Sequence, residues 1–530
     1  MFGRYAIRSS INLFPSYSLS IELVITDAMS TIDLSRERKR RELAEKLEKL
    51  QLERHELDYK IIQTQAEYGA LYDKMAPILN LPIEITFRIF ELAHDASFVE
   101  GVPENPLIEV TISHVCRQWR SVAFSFQSLW SNFRYNVSKS WPKRIPIDRL
   151  VAYLKRSGSH LLDLHFTFSQ SVLGDGSQAL FNSMLENTIS HVDRWRRFSL
   201  FSDVHVPMHD FSDRLRRLKA PNLQYFTMCP SSSDPEGAPV FNGLAPSVFL
   251  GAAPKLFYVR VDGPSFLNYP PLFSNVTVLR LEDETDTWTF GNFSLGFSLF
   301  LEILALPSLS SLSIVGEHFE EPESPHTSKI TMNNLKHLRY GEDHNLIGHF
   351  LPFLVAPLLE TLIIKRATLR LIPSSLPKFM PPFSNLHSLE LIECVNYDGD
   401  ADFIKSLVTR TPHVTHLTIV DDSESASMLQ CITQPFLENG TKSCQKVKVL
   451  TSSWLSANVH PILPYIDFVR MVGNPKLTIC TDTDEWPFDR VESLDAICVL
   501  RNLPNKRKIV SWPPGVDVPA EEDFFTIIEY

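Results

Sequence analysis

From about residue 140 onward one hydrophobic pattern recurs: an apolar residue, two variable positions, a second apolar residue, one variable position, and a third. It reads as Leu161/Leu164/Phe166, Trp195/Phe198/Leu200, Leu223/Phe226/Met228, Leu256/Val259/Val261 and Val276/Leu279/Leu281 in the first half. It continues as Leu309/Leu312/Ile314, Leu335/Leu338/Tyr340, Leu359/Leu362/Ile364, Leu386/Leu389/Leu391 and Val414/Leu417/Ile419. The second and third positions stand two apart, which is strand periodicity, so each unit predicts a short strand with those two side chains in a shared core. The punctuation is regular as well. Pro221, Pro254, Pro307, Pro357 and Pro412 each lie two residues before the first position, and Asn222, Asn275, Asn334 and Asn385 directly before it. A proline there stops the preceding segment where a missing N–H costs little. One such unit cannot bury its apolar face alone, but a stack can, as a curved solenoid with a parallel sheet on its inner side.

With units starting about 20 to 34 residues apart, the pattern resembles divergent leucine-rich repeats of irregular length. The alternative is an α/β domain with coincidental repeats. Beyond Asp421 the pattern fades, with Val447/Val449 and Leu477/Ile479 as degenerate final units and an acidic cap or tail containing Glu521 to Asp523. The inner surface would display Tyr225 and Thr227, Tyr258 and Arg260, Val278 and Arg280, His337 and Arg339, Thr361 and Ile363, Ser388 and Glu390, and His416 and Thr418. That mix suits a protein partner, with Tyr258, Arg260, Arg280, His337 and Arg339 as candidate substrate-binding residues. Arg260, Arg280 and Arg339 together would favour an acidic or phosphorylated ligand; the competing reading is a solvated scatter of charges.

Composition narrows the classes. The chain has 530 residues, 44% hydrophobic and 21% charged, enough for two to four packed units. No stretch reaches the ~18 to 20 apolar residues that span a bilayer, so no membrane partner is expected. A formal charge of −11 argues against broad capture of nucleic acid. The seven cysteines lack C-x-x-C spacing and read as reduced thiols. Thirty-six prolines against 19 glycines disfavour Gly-rich phosphate loops.

Residues 1–32 are expected to be disordered or, up to Ala28, not translated, because Met29 is a second candidate start. A weak mitochondrial targeting signal is the sharper reading of the same stretch. Residues 33–78 are rich in strong helix formers. Steps of four and three give Leu43, Leu47, Leu50, Arg54, Leu57, Ile61, Thr64, Tyr68, Leu71, Met75 and Ile78, a heptad seam. Such a seam predicts a coiled coil by self-association or pairing with another chain, against a solitary amphipathic helix packed on its own protein. The run Arg36 to Arg41 reads as solvated helix before nuclear import signal.

At Asn80 the pattern changes. Asn80-Leu81-Pro82-Ile83-Glu84 supplies an N-cap, a first-turn proline and an acid that suits the helix dipole. Ile85, Ile89 and Leu92 recur at helical spacing, with Phe87 and Phe90 on adjoining faces, so this helix is expected to be buried on two fronts. After a polar loop, Ile112, Val115, Cys116, Trp119, Val122, Ala123 and Phe126 predict one amphipathic helix begun by Thr111, and Gln127-Ser128-Leu129-Trp130 closes the unit. About 50 residues cannot bury these aromatics alone.

These residues resemble the F-box: Leu81-Pro82-x-Glu84-Ile85, Ile89-Phe90, Val115-Cys116-x-x-Trp119-Arg120 and Leu129-Trp130. The similarity covers about a tenth of the chain, residues 80–133, and extends to fungal F-box-like proteins with divergent leucine-rich repeats. It implies docking to the Skp-type adaptor of a cullin-RING ubiquitin ligase through Leu81, Pro82, Ile83, Ile85, Val115, Cys116 and Trp119. The competing reading of the segment is a three-helix element packed against the rest of its own chain.

No P-loop, dinucleotide, zincin or nucleophile-elbow motif occurs. His205/His209 have ligand spacing but flank Pro207, and four glycosylation sequons read as coincidental. The expectation is therefore an α/β protein without catalytic residue, metal or cofactor: coiled-coil helix 33–78, F-box 80–133, repeat solenoid 140–510 and tail 511–530. It would be a cytoplasmic or nuclear substrate receptor holding an unidentified protein substrate near the cullin-bound machinery. The alternative is a repeat scaffold that binds proteins without a ligase connection.

Overall fold

In the computed structural model, a helix of 56 residues, α1 (Ser18–Asp73), begins soon after Pro15, earlier than the expected Asp33. No proline interrupts the stretch between those points, so nothing local stops the helix at residue 33. The described residues are 18–73, 76–97, 107–136, 146–168, 177–202, 213–230, 244–282, 295–324, 328–342, 346–370, 381–395, 401–421, 428–437, 444–454, 463–474, 476–481, 494, 497–502 and 512–516. Residues 1–17, Met75, His205, His209 and Glu521 to Asp523 lie outside them. Two units are distinguished, residues 1–86 with 116–118, and residues 87–115 with 119–530.

Fourteen strands form one parallel sheet in strict chain order. They are β1 (Asn132–Asn136), β2 (Leu162–Phe168), β3 (Trp195–Ser202), β4 (Tyr225–Pro230), β5 (Tyr258–Val261), β6 (Val278–Glu282) and β7 (Ser311–Val315). Then come β8 (His337–Gly341), β9 (Thr361–Lys365), β10 (Ser388–Ile392), β11 (His416–Asp421), β12 (Val449–Trp454), β13 (Thr478–Thr481) and β14 (Val499–Asn502). The sheet is open, with β1 and β14 at its edges.

The register explains the sequence pattern. Leu164, Phe198, Phe226, Val259, Leu279, Leu312, Leu338, Leu362, Leu389 and Leu417 pair strand by strand in one row, continued by Leu450, Ile479 and Leu500. All but the last are buried in a single hydrophobic core, against which Leu500 packs. Connecting helices cover this face: Phe181, Met184 and Leu185 from Ser177–Ile189, and Phe300, Ile303 and Leu304 from Phe297–Leu304, lie in the same core.

Several expectations shift. Leu161 is exposed and Leu162 is buried in its place, with a register irregularity between Leu162 and Asp163. Val449 pairs with His416 on the opposite face, and Leu450 takes the core position. On the sequence pattern the helical unit runs to residue 133, yet β1 already belongs to the sheet, and its Phe133 pairs with Leu164 and enters the core. The second helix of that unit is also divided, into α3 (Ile108–Val115) and α4 (Arg117–Ser125). Arg120 Nε donates to the Ser113 carbonyl at 2.8 Å across the break.

Three of the asparagines and prolines that precede repeats prove to be partners. Asn275 Nδ2 donates to the Pro254 carbonyl at 3.1 Å, Asn334 to Pro307 at 2.7 Å and Asn385 to Pro357 at 2.8 Å. Each amide thus reaches back one repeat to a carbonyl at the strand entrance. Asn222 makes the same bond to Asp193 at 2.9 Å. The triple variant N275A/N334A/N385A should lose about 3 kcal/mol, on the usual ~1 kcal/mol per hydrogen bond, measured as a lower urea midpoint with an unchanged slope.

Candidate binding surfaces

Two sets of residues are candidates, and the first lies in the helical segment. The 3₁₀ turn Pro77–Asn80 precedes α2 (Ile83–Ala96), so the helix starts two residues later than Leu81. Thr86 Oγ1 and the amides of Ile85 and Thr86 close its first turn on the Pro82 carbonyl. Gln118 Nε2 donates to the Leu79 carbonyl at 2.8 Å and holds the turn before it.

Only one of the two expected fronts of α2 is covered. Phe90 is fully buried and meets the Trp119 ring edge-on at 5.0 Å, while Phe87 stacks on Phe126 at 4.6 Å. Trp130 is buried, donates from Nε1 to the Ala123 carbonyl, and meets Tyr153 edge-on. Ile85, Ile89 and Leu92, at i, i+4 and i+7, remain exposed. So do Leu81, Pro82, Ile83 and Val115; Cys116 and Trp119 are half-buried. The aromatics that suggest an external partner are therefore packed within the chain, and each of these aliphatic side chains is exposed.

Glu109 of α3 is buried against Tyr153, whose hydroxyl donates to its carboxylate. Burial pushes the Glu109 carboxyl up, opposed by that hydrogen bond and by the charges of Arg149 and Arg134.

The second set lies on the sheet face opposite the core. There Thr227, Arg260, Arg280, Ser313 and Arg339 form one row across β4 to β8. Tyr225, Tyr258, Val278, Ser311 and His337 form the row beside it. The expected residues are thus brought together, but Tyr258, Arg260, Arg280 and Arg339 are at most 1% exposed, whereas His337 is half-buried. Among the described residues, two groups that the repeat pattern does not reveal contribute to this. One is Glu282, the last residue of β6. Arg280 grips its carboxylate with two bonds, at 2.9 and 2.5 Å, and Arg260 and Arg339 stand 3.5 and 3.7 Å from it. Ser313 Oγ also donates to it.

The other is the segment Trp512 to Val516, which follows β14 but lies against the middle of the sheet. The Trp512 indole is stacked by the Arg339 guanidinium at 4.5 Å and approached by Arg280 at 5.9 Å. Val516 packs against Tyr258 and Val278. Arg280 Nη1 donates to the Tyr258 hydroxyl at 3.3 Å, and Arg197 lies 4.1 Å over Tyr225. Guanidinium and aromatic groups thus meet at several points on this face, and the chain's own later segment lies against it. A ligand stacking on the Arg339 guanidinium where the indole lies would have to displace Trp512. At the margin His337 Nδ1 lies 2.9 Å from Thr361 Oγ1, and burial, more than its neighbours, holds its pKa down.

Burial alone would raise the Glu282 carboxyl, but Arg280, Arg260 and Arg339 overcome it and hold it at about 2, against an ordinary 4.5. A depressed acid stabilises the fold fully above the unfolded value and loses that contribution as pH falls toward the folded one. Stability on the order of 3 kcal/mol should therefore disappear between about pH 4.5 and 2 in the wild type. Glu282→Gln should be less stable at neutral pH and lack that part of the acid dependence, read from urea midpoints of both proteins at matched pH. No family model matches the chain, and no curated protein matches it by sequence.

Proposed function

We propose that this chain is the substrate-recognition subunit of a cullin-RING ubiquitin ligase, resembling F-box proteins with leucine-rich-repeat solenoids. The observation that carries the reading is the exposure of Leu81, Pro82, Ile83 and Ile85, residues of the F-box-like motif, while the motif's Phe90 and Trp130 are buried in the chain's own core. A terminal unit that merely seals a stack of repeats turns a polar face to water. Exposed aliphatics without such a partner are an association liability. They fit the apolar side of a helix-groove interface with a Skp-type adaptor, which links the chain to a cullin. Val115, Cys116 and the half-buried Trp119 carry the second part of the motif.

The repeats would hold a protein substrate, and the chain would act by proximity, raising the effective concentration of substrate near the charged ubiquitin carrier. No residue of this chain is assigned to the transfer chemistry. A cytoplasmic or nuclear location follows from that role; among the described residues no helix is long and apolar enough to cross a membrane.

The second reading is a repeat scaffold with no ligase connection, its helical segment capping the sheet. It is favoured by one observation: Phe90, Ile112 and Trp130 share a continuous core with the strands. The two readings differ in adaptor binding. Purified full-length chain should retain a Skp-type adaptor in a pull-down. Leu81→Ala/Pro82→Ala should reduce retention at least about tenfold, the loss expected for about 1.4 kcal/mol of interface energy, with helicity unchanged. Failure of the folded wild type to bind would leave the scaffold.

A further inference from the structure

The exposed seam of α1 carries its own specification for a partner. Leu43, Leu47, Leu50, Leu57 and Ile61 are 52–59% exposed, and every described side chain from Ser35 to Gln65 is exposed to solvent. A row of leucines along so long a helix is stable in water only when another helix covers it. Steps of four and three put Leu43, Leu50, Leu57 and Thr64 at the d positions, and Leu47, Arg54, Ile61 and Tyr68 at the a positions. The flanking g positions are then Lys46, Glu53, Lys60 and Glu67, which alternate in sign, and the e positions are Ala44, Gln51, Asp58 and Gln65.

We propose that α1 pairs with α1 of a second copy of this chain as an antiparallel coiled coil centred between Arg54 and Leu57. In antiparallel pairs g faces g across the seam, and in parallel pairs g faces e of the next heptad. Antiparallel alignment sets Lys46 against the partner's Glu67 and Glu53 against the partner's Lys60, each contact made twice by symmetry. The same alignment stacks Ile61 on the partner's Leu50 and Tyr68 on the partner's Leu43. Arg54 packs beside the partner's Leu57, and Asp58 on its own helix lies 3.9 Å from its guanidinium.

Parallel alignment gives the opposite result. Arg54 would oppose its own copy in the core, and Glu53 would face the partner's Asp58, while Lys46 and Lys60 would face glutamines. One sequence therefore opposes the parallel dimer through two kinds of contact and favours the antiparallel one through two. The two chains leave the paired helices at opposite ends, so one dimer would present two copies of whatever follows α1. This pairing is independent of the ligase reading, and an adaptor-binding result leaves it untouched.

The test uses the full-length chain in sedimentation equilibrium, with two variants. K46E/K60E makes all four g positions acidic, and E53K/E67K makes all four basic. Wild type should be a dimer. Each variant alone should dimerise at least about tenfold more weakly, and an equimolar mixture should restore a one-to-one heterodimer, as charge-patterned coiled coils do. Recovery in the mixture also shows that both variants still fold. The proposal is overturned if wild type is monomeric over the same concentrations, if either variant alone dimerises as well as wild type, or if mixing restores nothing. Self-pairing by E53K/E67K would in particular indicate the parallel arrangement, since the positive charge placed at position 53 would then meet the partner's Asp58.

Discussion

Everything downstream of β1 depends on a row of apolar side chains held in register from Phe133 to Leu500. Because side chains alternate across a strand, a slip of one residue would send the row to the opposite face and bring Arg280 or Glu390 into the core. The bonds from Asn275, Asn334 and Asn385 to the prolines one repeat back fix that register at the strand entrances. At the strand exits, Glu342, Arg366 and Glu393 adopt left-handed backbone at φ 57°, 44° and 51°. Their amides donate to the strand end of the next repeat, and Arg366 pairs with both Glu342 and Glu393. The turn that costs each residue local strain is thus repeated and tied across neighbours.

The sequence is legible where periodicity is local. Ten repeat units read from the chain supply ten consecutive strands, and the residues assigned to the inner face do share one face. Errors fall where the pattern is shortest or where one residue decides the phase. Strand β1 carries only Phe133 and Tyr135 as an alternating pair, and Val449 and Leu450 are both aliphatic, so the pattern does not distinguish the core position between them. The division of α3 from α4 at Cys116 has no breaker residue to announce it.

The candidate sites are legible in membership and not in accessibility. The aliphatic positions near Leu81 can be named from spacing, and their exposure depends on which aromatics the chain itself covers. The arginines are recognisable as neighbours, but a parallel register says nothing about what lies on top of them. Glu282 occupies the last position of its strand, where the repeat pattern places no requirement. Trp512 belongs to no repeat, so only the folded chain brings it to Arg339. Arg410 is a similar case: it donates to the Leu351 and Pro352 carbonyls and stacks on Phe383, and its pKa is lowered to about 10 by burial.

The placement of Trp512 changes the order in which the molecule can be completed. Neighbouring strands pair with partners one repeat away, so the sheet can grow as the polypeptide emerges during synthesis. The contact between Trp512 and the β6 and β8 arginines is different, because at least six strands of the sheet, β9 to β14, come between its two halves in the chain. The stacking of Trp512 on Arg339, and its approach to Arg280, can therefore form only after β14 has been made. For that interval the Arg339 guanidinium is without the indole face on which it stacks in the finished protein.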